Sequence, residues 1–496
     1  MSPQAYGFLH ERFARIGAIS GAISVLDWDS QTMMPKGGAE ARAEQLAVLS
    51  VLHHEAISAD DFPDLLDRAE EETLSDWQSA NLREMRRMHR HATAMDPGLV
   101  DAFSRATSEC EHAWREARAD DDFATVLPLL ETVIDLVRDQ AAAKADALEV
   151  APYDALIDMY EPGGSSQKID HLFAPLADRL PEILQRVLER QSESPAPVVP
   201  QGPFDAGRQK ELAHRLMTTL GFEFEHGRVD VSAHPFCGGT SDDVRLTTRF
   251  DETDFTSAVM AVIHETGHAM YERGLPPEWR GQPVGTARGM AVHESQSLMF
   301  EMQACRDNGF IEFLAPLTKQ VFGGEGADWG ADNLHRLTTK VERGLIRVDA
   351  DEVTYPLHVM LRYRLESALL DRSLAPADLP GAWREGMAEL VGAAPPDDRD
   401  GCMQDIHWYA GAFGYFPTYT MGALAAAQLF QAAKRADPGI PEALSRGDFT
   451  GLLAWAREKV HRWGSYHTTD DLLQSATGAP LGEDAFLAHL EERYLG

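Results

Sequence analysis

The chain has 496 residues, 44% hydrophobic and 25% charged, the profile of an ordinary globular protein with room for a large core. Its 79 acidic against 45 basic residues leave a net charge of −34, which repels nucleic acid and anionic membranes. It lacks the eighteen or so consecutive apolar residues that would span a bilayer, and an apolar signal core at the N-terminus, so a cytoplasmic location is expected.

The N-terminal 190 residues read as helical almost throughout. His10, Glu11, Arg12 and Arg15 fall at helical spacing, and Ala39–Leu52, Leu74–Thr93, Thr125–Leu148 and Leu172–Gln191 follow the same period. In Thr125–Leu148, the residues Val126, Leu127, Leu130, Val133, Ile134 and Val137 keep one apolar stripe. Pro195–Pro203 is a loop or hinge, after which helical patterning resumes at Gln209. Between 221 and 250 the pattern changes. Phe222-Glu223-Phe224 and Val244–Thr248 alternate and contain β-formers, so a small sheet is expected there, with turns around Pro235, Gly238 and Gly239. Further helices are expected from Asp254 to Gly274, Met290 to Arg306, Gly330 to Leu374, Leu379 to Val391, Ala423 to Lys434 and Phe449 to Trp463. Trp408–Gly422 is aromatic and Gly-rich and reads as a loop. Cys110, Cys237, Cys305 and Cys402 are scattered without a Cys-x-x-Cys pair and read as reduced thiols.

The helix expected from Asp254 carries His264-Glu265-Thr266-Gly267-His268. Positions four apart lie on one helical face, so both imidazoles face one metal ion. Glu265 lies about 100° round the helix, within reach of a water on that metal, whose proton it can accept. Histidine nitrogens suit zinc, and a zinc site with an open position activates water, which points to a metal-dependent hydrolase and most directly to a peptidase. The third ligand is sought on the next helix. Glu294 lies 30 residues after His264, across a turn-rich segment that allows a helix hairpin, and completes a His/His/Glu set. His293 is its rival, better suited to a supporting role because it points elsewhere on the helix. Glu301 shares the face of Glu294 and either orients the site or is solvent-exposed.

The paired segments His264-Glu265-Thr266-Gly267-His268 and His293-Glu294-Ser295-Gln296 resemble the carboxypeptidase Taq family of metallocarboxypeptidases, metallopeptidase family 32. Other motifs of that family follow in order: Trp28-Asp29 with Met34-Pro35, His234-Pro235-Phe236, Asp243-x-Arg245-x-Thr247, Ile346-Arg347-x-x-Ala350-Asp351 and Gly401-x-x-Gln404-Asp405-x-His407-Trp408. The resemblance covers essentially the whole chain, 1–496, as a single metallocarboxypeptidase domain, or as two lobes flanking a groove. It implies a mainly α, neurolysin-like fold with a deep groove and a small β-sheet beside the metal helix. It further implies a cytosolic homodimer, zinc with cobalt as an alternative, and removal of single residues from peptide C-termini with broad specificity.

Within that expectation His264, His268 and Glu294 are the metal ligands and Glu265 is the general base. His407 and Tyr415, with Tyr419 as the alternative to Tyr415, are candidate donors to the oxyanion. By the family motif Arg347 is the candidate clamp for the terminal carboxylate, since a guanidinium fork suits bidentate contact. Arg245 is either a substrate contact or half of an internal ion pair with Asp243. His234, Tyr355 and His358 are further residues that could line the groove. An oligoendopeptidase or a dipeptidyl carboxypeptidase would use the same metal site.

Overall fold

The structure is a computed structural model and describes residues 4–496. Helix makes up 68% of it, and the sheet has three strands, so the fold is mainly α as expected. The chain forms two compact units, each assembled from three segments. One gathers the residues up to His89, Pro197–Thr339 and Gly422–Leu481. The other gathers Arg90–Ala196, Lys340–Met421 and Gly482–Gly496.

The first unit is built around the helix Phe255–Gly274, called here the motif helix. Asp254 caps it, its carboxylate accepting from the Thr256 N–H at 2.8 Å, a contact worth about 1 kcal/mol. Phe255, Ala258, Val259, Val262 and Ile263 are buried, each larger side chain contributing about 1.5–3 kcal/mol. Phe255 stacks on Trp329, with ring centroids 5.5 Å apart. The helix ends at Gly274, where a Cβ would lie 2.4 Å from the His461 ring, and Leu275 turns extended ahead of Pro276. The three strands are β1 (Gly227–Val231), β2 (Cys237–Thr240) and β3 (Asp243–Thr248). Their order is β1-β3-β2, with β1 parallel and β2 antiparallel to β3, so β2 is an edge strand. β3 and β2 both pack on the motif helix.

The second unit packs the long helices Pro97–Asp120, Phe123–Leu148 and Ser166–Ser192 with Tyr355–Leu370 and Leu379–Leu390. Val126, Leu130, Val133, Ile134 and Val137 are fully buried, as the stripe predicts, while Trp383, Trp408, Phe413 and Phe416 form an aromatic core.

The structure corrects four boundaries. Phe222–Phe224 is not a strand but leads into a turn at Phe224, the two phenylalanines packing edge to face at 5.0 Å, and the first strand lies further on. The expected helix Met290–Arg306 is α-helical only to Leu298 and continues as a π-turn, Met299–Ala304. Gly330–Leu374 is interrupted, with helix at Ala331–Thr338 and again from Tyr355. The loop expected to reach Gly422 ends at Phe416, so Tyr419 stands on the helix Pro417–Ala436. All four cysteines are free thiols.

Candidate active site

The motif helix places His264 and His268 one turn apart, with ring centroids 4.8 Å apart. Glu294 comes from the return helix Met290–Leu298. Its Oε2 lies 3.9 Å from His264 Nε2 and 3.6 Å from His268 Nε2. One donor atom from each of the three residues falls within 4.8 Å of the others. The far nitrogens are tied down. His264 Nδ1 hydrogen-bonds Glu301 Oε2 at 3.0 Å, and His268 Nδ1 hydrogen-bonds the His293 carbonyl at 3.1 Å. Both Nε2 atoms are thereby aimed inward, as a bound metal requires. Two imidazoles and a carboxylate fit a divalent ion with an open coordination position. The electrostatics agree. Burial lowers His264, but Glu294, Glu301 and Glu265 outweigh it and carry His264 up to about 10, so this cluster of carboxylates favours a cation.

Two glycines explain why Glu294 arrives. A Cβ on Gly267 would stand 2.6 Å from Ser297 Cα and 2.7 Å from the Gln296 carbonyl, so glycine lets the return helix lie against the motif helix. A Cβ on Gly422 would stand 2.6 Å from Glu294 Cβ and Cγ. Sequence reading passed over both. Gly267 had a signal, a glycine between the two histidines of the motif. Gly422 had none short of the fold.

Glu265 is 7% exposed, and its Oε2 is buried with no hydrogen-bond partner. Burial pushes it up to about 7 against the pull of His264. Glu301 sits in the π-turn and bridges His264 to Arg306, which donates to Oε1 at 2.6 Å. Burial disfavours this carboxylate, yet Arg306 and His264 hold it below the usual range. Glu301 thus orients the site instead of facing solvent. His293 supports His268 through its backbone and hydrogen-bonds Glu272 with its ring at 3.1 Å.

The second unit gathers the other candidates. Asp405 Oδ1 accepts from Arg347 Nε (3.1 Å) and Nη2 (2.7 Å), and Oδ2 accepts from Arg362 Nε at 2.7 Å. Gln404 Oε1 receives the Arg347 backbone N–H and Arg362 Nη2. One edge of the Arg347 fork is therefore committed, and Nη1 of this buried side chain donates to the Tyr355 hydroxyl at 3.5 Å. Its guanidinium lies 4.9 Å from the Tyr419 ring and 5.5 Å from Phe416. His407 Nε2 is 3.4 Å from the Tyr419 hydroxyl, and Tyr415 packs on Tyr419 at 5.2 Å. Burial, with Arg347 and Arg362, lowers His407 to about 4 against the pull of Asp405, so it is a neutral donor or acceptor at neutral pH. Arg347, His407, Tyr415 and Tyr419 thus form one cluster. Arg362, missed from the sequence, anchors it through Asp405, a partner 43 residues away.

Three candidates do not hydrogen-bond into this cluster with their side chains. Arg245, in the first unit, pairs with Asp243 at 2.6 Å and lies 4.5 Å over the Trp28 ring. His234 is exposed, and His358 is wholly buried against the Gly344 carbonyl.

A mainly helical fold with this donor set defines the class as metallopeptidase. The model of the family described as carboxypeptidase Taq (M32) metallopeptidase matches residues 8–494. Thermostable carboxypeptidase 1 of Thermus thermophilus is 39% identical over 510 residues, covering 100% of this chain and 99% of that protein. Trypanosoma cruzi metallocarboxypeptidase 1 superposes with a TM-score of 0.97 at 40% identity, covering 99% of each chain. An M32 carboxypeptidase from Deinococcus radiodurans gives 0.94 at 33%, covering 99% of this chain and 98% of that one. The chain belongs to the carboxypeptidase Taq (M32) family, and it is a metal-dependent carboxypeptidase acting on peptides. Among the described residues no helix is long and apolar enough to cross a membrane.

Proposed function

We propose that the enzyme releases single residues from peptide C-termini with broad specificity, using zinc held by His264, His268 and Glu294, with cobalt as a substitute. The observation that carries this reading is the pair of inward Nε2 atoms facing Glu294, each imidazole fixed from behind. The ion would supply polarisation of the scissile carbonyl and acidification of water. Glu265, with a buried and unpaired carboxylate oxygen, takes the proton of the attacking water and returns it to the leaving amine. His407 and either Tyr415 or Tyr419 donate to the oxygen on which charge develops. Arg347 holds the substrate's terminal carboxylate through Nη1, with Asp405 and Arg362 fixing its plane. The Asp243 pairing supports an internal role for Arg245 over substrate contact. The homodimer implied by family resemblance is supported by the exposed Val48, Val51 and Leu52 on the helix Ala39–Ile57. Sedimentation of the purified protein tests it. The free thiols, three of them buried, suit a reducing compartment and support a cytoplasmic location.

The test uses N-blocked peptides and mass spectrometry of the products. Chelation abolishes release, and zinc or cobalt restores it. Glu265→Gln keeps the metal and loses about 10²–10⁴-fold in kcat. Internal cleavage or dipeptide release would overturn single-residue action, and undiminished turnover in Glu265→Gln would overturn the general base.

A further inference from the structure

A cavity of about 480 Å³ opens in the first unit between the helices Ala5–Thr32 and Ala39–Ile57 and the edge strand β2. Ser24, Asp27 and Trp28 line it from the first helix, His53 from the second, and Phe236 and Cys237 from the strand side. None of these residues has a part in the chemistry proposed above. The cavity nevertheless adjoins it through β2, the strand of Cys237, which packs on the motif helix that carries Glu265.

The strand edge there is half closed. Ser24 Oγ donates to the Gly239 carbonyl at 2.8 Å and accepts the Gly239 N–H at 3.0 Å, so both backbone groups of Gly239 point away from β3. Alternation along an antiparallel strand gives Cys237, two residues earlier, the same outward orientation. The first helix therefore fills one rung of the edge and leaves the rung at Cys237 facing the cavity.

The charges there are also unequal. Arg42 pairs with Asp29, Arg228 with Asp230 and Arg245 with Asp243, and the last two arginines flank the Trp28 ring. Asp27 is left without a hydrogen bond or ion pair among the described residues. The Arg42 guanidinium, whose bonds go to Asp29, Leu26 and Ser30, reaches it only through space. His53 is lowered by burial and is neutral. The cavity wall thus carries one carboxylate with no hydrogen-bonded or ion-paired partner among the described residues, beside an indole N–H of Trp28 that is likewise without one.

We propose that this cavity is a substrate subsite that takes a basic side chain upstream of the scissile bond, with Asp27 pairing to the lysine or arginine and the Cys237 backbone holding the peptide main chain. The proposal rests on the carboxypeptidase reading of the Glu265 site. It assigns a sequence preference in the part of the peptide that remains after cleavage.

The experiment uses the zinc-loaded enzyme and blocked peptides with a constant C-terminal dipeptide and Lys, Ala or Glu at each of the three preceding positions. The readout is the Lys-to-Glu ratio of kcat/KM, in which any general loss of activity cancels. At one position the wild type favours Lys by about 3- to 5-fold, the effect of a partly exposed ion pair. Asp27→Asn brings that ratio to about one and Asp27→Lys inverts it. A ratio that is the same in all three proteins at every position overturns the subsite. That outcome is distinct from failure of the catalytic reading, which Glu265→Gln decides separately. Asp27 is exposed and unpaired, so both variants fold, as their unaltered melting temperatures will show.

Discussion

His264 depends on Glu301 as much as on its own place in the motif. With Nδ1 bonded to a carboxylate, the imidazole has its tautomer and ring plane set, and Arg306 keeps that carboxylate ionised. Glu301→Gln replaces a charge-assisted bond by a neutral one and leaves Arg306 with less to pair with. We expect metal affinity to fall about 10- to 100-fold, measured by competition with a chromogenic chelator. At this scale the sequence was most legible where ligands are local. That His264, Glu265 and His268 share one stretch of helix follows from helical spacing, and the approach of Glu294 to the two imidazoles from a hairpin of suitable length. It was least legible where a partner is distant. No local pattern says that Asp405 takes one edge of the Arg347 fork, because that contact joins residues 58 apart.

The packing of two helices decides whether the proposed ligand set can form at all. Gly267 faces backbone atoms of the return helix, and backbone cannot swing aside as a side chain end can. In Gly267→Ala the helices must separate by about 1 Å, at an overpacking cost of about 1–3 kcal/mol. Glu294 lies one turn before Ser297 and moves with it, whereas metal–ligand distances tolerate about 0.2 Å. The variant should therefore lose metal affinity out of proportion to its loss of melting temperature. Gly381→Ala is the control, since nothing lies within 4 Å of a Cβ there and a helix gains from alanine. If both variants bind zinc alike, the close approach is not what seats Glu294. Element reading succeeded where periodicity was long, as in Phe123–Leu148, and failed where it was short. Three alternating residues, Phe222–Phe224, cannot distinguish a strand from a segment that leads into a turn with its rings packed together.

The molecule as a whole buries several histidines as neutral rings, and this sets its response to acid. Burial lowers His407 to about 4, and His358 and His461 to about 3. In the unfolded chain each titrates near 6.5. Their folded values are depressed, so the unfolded state binds more protons below that point. The stability they contribute is complete above about pH 6.5 and is lost as pH falls toward 4 and then 3. Glu366 acts in the opposite sense. Burial pushes it up to about 7 despite donors from Tyr153, Trp408 and Gly414, so its contribution is present below about 4.5 and fades as pH rises through 7. With Glu265, which burial likewise carries up to about 7, it offsets two of the three histidines in the same window. Asp405, held far below the carboxylate range by its two arginines once burial is overcome, adds its loss only below about pH 4. Between pH 6.5 and 4.5 the remaining dependence belongs to the histidines, each worth at most about 1.4 kcal/mol per pH unit. His461 isolates one of them. It lies in the first unit against Gly274 and hydrogen-bonds Gln296 at 3.0 Å. His461→Gln keeps a donor for that bond and removes the titration. We expect the urea midpoint of the wild type to fall from pH 6.5 to 5, and that of His461→Gln to fall less from a lower starting value. Parallel pH profiles for the two proteins would mean that His461 is not carried into the folded state as a neutral ring.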